Sequence, residues 1–141
     1  VTSIFDYCSI LVQRPPTIDA EFRNEALAIP IPAAGDLPIV LTGCDEGLYL
    51  PGIAGVRVFA GHWSLTPEYK AKCRLLEAAG LTMRGAGQTA DADLLVRLVR
   101  GVHADYVMLP TGSSGEARLL GSGLAETFSV GRRWTTVKVV R

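Results

Sequence analysis

Three short apolar runs, each stopped by glycine or proline, constrain this chain more than any other feature. They are Pro38-Ile-Val-Leu-Thr-Gly43, Gly55-Val-Arg-Val-Phe-Ala60 before Gly61, and Asp105-Tyr-Val-Met-Leu-Pro110. Runs this short and this apolar suit strands buried on both faces. Helical stripes separate them. Thr66-Pro67-Glu68 predicts a helix start, with Thr66 as cap, a stripe of Leu75, Leu76 and Ala79, and Gly80 as the stop. Asp91 opens a second helix whose stripe is Leu94, Leu95, Leu98 and Val99, with Arg97 and Arg100 opposite and Gly101 as the stop. The alternation predicts an α/β fold: a mostly parallel, Rossmann-like sheet flanked by helices in three layers. Residues 126–130 and 134–140 alternate around Gly131-Arg132-Arg133, which predicts a C-terminal hairpin closing the sheet. Residues 47–55 read as one short helix crossing the sheet, and Leu81-Thr-Met-Arg84 as a further short strand.

The division expected is an irregular N-terminal segment and connector, 1–37, and an α/β domain, 38–141. Ile10, Leu11 and Val12 suit a strand or helix end, and Pro15-Pro16 stops it. Phe22 and Ala26 sit at helical spacing within 17–27, while Pro30, Pro32 and Pro38 forbid long regular structure after it.

With 141 residues, 48% apolar and 20% charged, the chain is long enough for one core and too apolar for disorder. Its 14 basic and 14 acidic residues balance, so it lacks the field that a nucleic acid or an anionic membrane surface needs. Mean hydropathy is +0.26. Yet no run approaches the ~18 apolar residues that cross a bilayer. A chain that starts at Val1 and shows no signal peptide reads as a piece of a larger protein. Cys8, Cys44 and Cys73 form neither a disulfide framework nor a zinc pattern. They read as buried or incidental thiols, with a Cys44–Cys73 disulfide in an oxidising compartment as the alternative.

Gly61-His-Trp-Ser-Leu-Thr-Pro67 joins a strand end to a helix start, the edge where open α/β sheets hold ligands. His62 suits acid–base work near neutral pH, Trp63 suits stacking, and the helix start near Thr66 suits an anion. Bracing of the turn is the competing reading. Asp45 and Glu46 follow the first strand at the same edge and suit a metal or a carboxylate pair, although adjacent acids rarely converge on one atom. Gly85-Ala-Gly-Gln-Thr-Ala90 has the form of a pyrophosphate loop but reads better as a turn. Thr111-Gly-Ser-Ser-Gly115 lacks the lysine of a phosphate loop and reads as a flexible loop. No catalytic constellation, metal site or cofactor is expected.

Taken together, residues 38–110 resemble the C-terminal soluble domain of bacterial polytopic membrane glycosyltransferases (the GT-C, dolichyl-phosphate-mannose mannosyltransferase-like group). The distinctive run is Gly61-His62-Trp63 through Thr66-Pro67, preceded by Gly47-Leu-Tyr-Leu-Pro-Gly-Ile-Ala-Gly-Val-Arg-Val58 and followed by Asp105-Tyr-Val107. The resemblance implies a domain on the extracytoplasmic side of a cell membrane. Its partners would be the transmembrane portion of its own parent chain and a glycan or lipid-linked sugar. Contact would be made through Asp45, Tyr49, His62, Trp63 and Thr66, with the catalytic acid elsewhere in the parent. The alternatives are a free-standing nucleotide- or sugar-phosphate-binding enzyme and an assembly module.

Overall fold

The computed structural model describes residues 19–81 and 91–141. The elements, in chain order, are α1 (Ala20–Leu27), β1 (Ile39–Leu41), α2 (Cys44–Gly47), α3 (Leu50–Ala54), β2 (Arg57–Val58), α4 (Tyr69–Ala78), α5 (Ala92–Val102), β3 (Tyr106–Pro110), α6 (Ser114–Gly121), β4 (Ala125–Val130) and β5 (Trp134–Val139).

The strands form one five-stranded sheet in the order β2-β1-β3-β5-β4. This corrects the expected mostly parallel, closed sheet. Only β1–β2 and β1–β3 run parallel, each over two register pairs, whereas β5 pairs antiparallel with both β3 and β4 along its length. The reason is local. A connection as short as Gly131-Arg132-Arg133 joins only antiparallel neighbours, and a parallel pair needs a long crossover. Since β5 then inserts beside β3, β2 and β4 remain as free edges and the hairpin closes nothing.

Helices cover both faces. Leu41, Val107, Leu109 and Val137 face Leu76, Leu95, Val99 and Leu119 from α4, α5 and α6. Val40, Tyr106, Met108 and Trp134 face Phe22, Ala26 and Leu50 from α1 and α3. Alternate residues of β1 and β3 thus serve opposite cores, as a period of two dictates. Residues 47–55 lie in two short helices rather than one. Gly55, at φ 67°, ends α3 in a left-handed conformation that glycine adopts without penalty.

Two further differences have simple causes. α5 runs past Gly101 to Val102 because His103 takes the left-handed stop at φ 57°. α6 stands where a flexible loop was expected. Ser113 Oγ accepts from the Glu116 backbone N–H (3.3 Å) as the N-cap, and Glu116 Oε2 accepts from the Gly112 N–H (2.6 Å), which fixes the turn before the helix.

α1 is tied to the hairpin turn. Asp19 pairs with Arg133 (2.6 Å), and Glu21 Oε1 accepts from the N–H groups of Arg133 (2.9 Å) and Trp134 (3.4 Å). The carboxylate fits because residue 131 is glycine, since a Cβ there would collide with Glu21 Oε1. Phe22 meets the Trp134 ring edge-on at 4.9 Å, and both are fully buried. Phe22→Ala should cost about 3–5 kcal/mol in chemical denaturation. A loss below about 1 kcal/mol would show that α1 packs only loosely on the sheet.

Candidate functional site

The carboxyl ends of the parallel strands carry most of the sequence-selected residues. Asp45 and Glu46 lie in α2, directly after β1. His62, Trp63 and Thr66 lie in the loop after β2. One close approach of backbone brings these loops together: a Cβ on Gly47 would stand 2.4 Å from the Ala60 carbonyl oxygen. Tyr49 sits at the junction of α2 and α3, its N–H donating to the Glu46 carbonyl (3.2 Å).

Within the 61–66 loop the contacts are local. Leu65 and Thr66 N–H groups donate to the His62 carbonyl (3.0 Å each), forming a tight turn. Thr66 Oγ1 accepts from the Gly61 N–H (3.1 Å). Thr66 therefore does not cap α4 as expected. Glu68, at φ 53°, breaks the helical phase, and the helix begins at Tyr69 with no side-chain cap. His62 Nδ1 accepts from the Ser64 N–H (3.2 Å) and lies 2.7 Å from Ser64 Oγ. An N–H can only donate, so the neutral ring carries its proton on Nε2. The His62 and Trp63 rings stack at 5.4 Å and 28°. Trp63 is 49% exposed and Leu65 82% exposed.

α4 then runs along this strand-end edge. It starts after β2, its Cys73 is disulfide-bonded to Cys44 just after β1 (Cα–Cα 5.6 Å), and Ala79 reaches Gly115 just after β3. The disulfide favours the alternative reading of the cysteines; Cys8 lies outside the described residues. The disulfide thus ties α4 to the start of α2, at the sheet end where open α/β folds hold ligands. Loss of the staple should be costly. Cys73→Ser should destabilise the domain by roughly 3–4 kcal/mol, from the closure of a 29-residue separation, and excess dithiothreitol should reproduce the effect on the parent sequence. An unchanged denaturation midpoint in both cases would show that packing alone holds α4.

Near this tie are two buried polar atoms, one on Thr42, which the sequence reading did not select, and one on Glu46, which it weighed only as half of a carboxylate pair. Thr42 Oγ1 and Glu46 Oε2 are buried and accept no hydrogen bond from the described residues. Burial raises the Glu46 carboxyl above its ordinary 4.5, and the Asp45 charge adds to this against a hydrogen bond from its own backbone. Burial also raises Tyr69, with Asp45 again contributing. No sequence signal separates Glu46 from a solvated acidic neighbour of Asp45; its burial comes from the loop packing. Folded Glu46 keeps its proton to higher pH than unfolded Glu46. Its contribution is thus intact below about pH 4.5 and is lost as pH rises through the raised value. Glu46→Gln should raise the melting temperature at neutral pH and leave it unchanged near pH 4. Equal shifts at both pH values would show that Glu46 is not held protonated by burial.

The phosphate-loop readings divide. Gly85 to Ala90, with most of the Leu81–Arg84 run, lies outside the described residues. At residues 111–115 the Glu116 N–H is met by Ser113 Oγ and the Gly112 N–H by the Glu116 carboxylate, and an acidic side chain at this helix start opposes an incoming phosphate. Among the described residues no three His, Cys, Asp or Glu converge as a metal site, and no helix is long and apolar enough to cross a membrane. Asp105 is a structural hub: its Oδ2 accepts from the Ile39 N–H (2.8 Å) and its Oδ1 pairs with Arg141 (3.0 Å). No family model, curated protein or solved structure matches the chain.

Proposed function

We propose that this chain is an extracytoplasmic accessory domain of a membrane glycosyltransferase-like protein, resting against the transmembrane portion of its own parent and serving a glycan or lipid-linked sugar there. The resemblance of residues 38–110 supplies the family. The Cys44–Cys73 disulfide carries the compartment, because such bonds persist where the environment is oxidising. The strand-end edge supplies the contact surface: Trp63 and Leu65 project from a turn that is rigid through its own hydrogen bonds. An exposed aromatic and an exposed leucine on a braced loop suit docking.

An antibody to this domain should detect a native protein several times larger than 15.1 kDa that only detergent extracts from cells. A soluble band near the size of this chain would refute the proposal. In that parent, Trp63→Ala with Leu65→Ala should change domain stability by no more than about 0.5 kcal/mol, as for exposed sites. A photo-crosslinker at position 65 should capture a peptide of the same chain. Capture of an unrelated soluble protein would favour an assembly module.

A further inference from the structure

Among the described residues, a groove with room for a ligand lies at the opposite end of the sheet from the loop just described. It is an open depression of about 510 Å³, within the range of small-ligand sites. α1 and α3 cover only part of their face of the sheet. The stretch of the hairpin beside the amino end of β3 is left exposed at Glu126, Phe128 and Lys138, and the connector after α1 lies across the groove from it. Pro30, Pro32 and Pro38 supply that wall, Tyr106 lines the floor, and Glu126 and Lys138 stand beside it. Glu126 and Lys138 are register partners on β4 and β5, so their side chains share one face.

The chemistry selects the ligand. Asp105 and Arg141 neutralise each other at 3.0 Å, and Lys138 stands opposite Glu126, which leaves Asp36 as the surplus charge. A phosphate or nucleotide would meet three carboxylates, and a polycation would meet an ammonium and a guanidinium. The lining offers both acceptors and donors, set among proline rings and the Tyr106 ring, which itself meets Phe128 edge-on at 5.4 Å. Hydroxyls that donate to carboxylates and accept from an ammonium, on a skeleton with apolar C–H faces, match this lining. We infer that the groove between the 30–38 connector and the open face of the hairpin is a binding site for a neutral oligosaccharide. The inference does not rest on the proposed membrane parent, because it uses a different edge and different residues.

The test is titration of the ¹⁵N-labelled chain with mannotetraose, cellotetraose and chitotetraose, beside a sulfated oligosaccharide and tetralysine. At least one neutral tetrasaccharide should bind saturably, with amide shifts confined to the 30–38 connector, residues 105–106 and strands β4 and β5. Glu126→Gln, at an exposed position, should keep the fold and weaken that binding by about tenfold, as loss of a charge-assisted hydrogen bond does. Trp63→Ala should leave it unchanged. Absence of saturable binding by all three neutral probes, shifts centred on residues 61–66, tighter binding of either charged probe, or unchanged affinity in folded Glu126→Gln would each overturn the inference.

Discussion

The structure depends on β3 being buried on both faces. All five of its residues are buried, it pairs with β1 on one side and β5 on the other, and its side chains alternate between two separate cores. A strand of this kind cannot exist without helical layers above and below. α5 and α6 supply one layer through Leu95, Val99 and Leu119; α1 and α3 supply the other through Phe22, Ala26 and Leu50. The N-terminal helix is for this reason part of the packed body. Asp19, Glu21 and Phe22 grip the Arg133–Trp134 corner and bring that layer into place.

The two ends of the sheet differ in what stands at them. At the carboxyl ends of the parallel strands, Cys44–Cys73 ties α4 to the start of α2. Thr42 Oγ1 and Glu46 Oε2 are buried there, while Trp63 and Leu65 are exposed to solvent. On the other face the helical layer grips the turn of the hairpin but leaves the far ends of β4 and β5 uncovered, and the groove lies there, beside the proline-rich connector. The two ends of one sheet thereby present different surfaces, an apolar braced loop and a mixed polar groove.

Much of the local structure was legible because it is written in short-range patterns. The 38–43 and 105–110 runs contain β1 and β3, the Leu94–Val99 stripe lies in α5, Asp91 caps it, and the hairpin falls about Gly131–Arg133. Helix α6 was hidden because its Gly-Ser start reads as a loop until Glu116 is seen to close the cap. Thr66 was misassigned as a cap because the competing acceptor role, toward Gly61, depends on a turn that periodicity does not reveal.

What the sequence determined by itself was the state of the strongly patterned segments, such as β1, α5 and β3, and their apolar faces, since propensity, capping and periodicity act over a few residues. Tertiary structure alone decided that β5 enters beside β3, making the sheet mixed and open, because strand order is chosen by which apolar faces can be covered together. It also decided the burial of Glu46, the pairing of Cys44 with Cys73 and the meeting of Pro32 with Glu126 and Lys138 in one groove. Those contacts join residues far apart in the chain, and their energies exist only once both cores have formed.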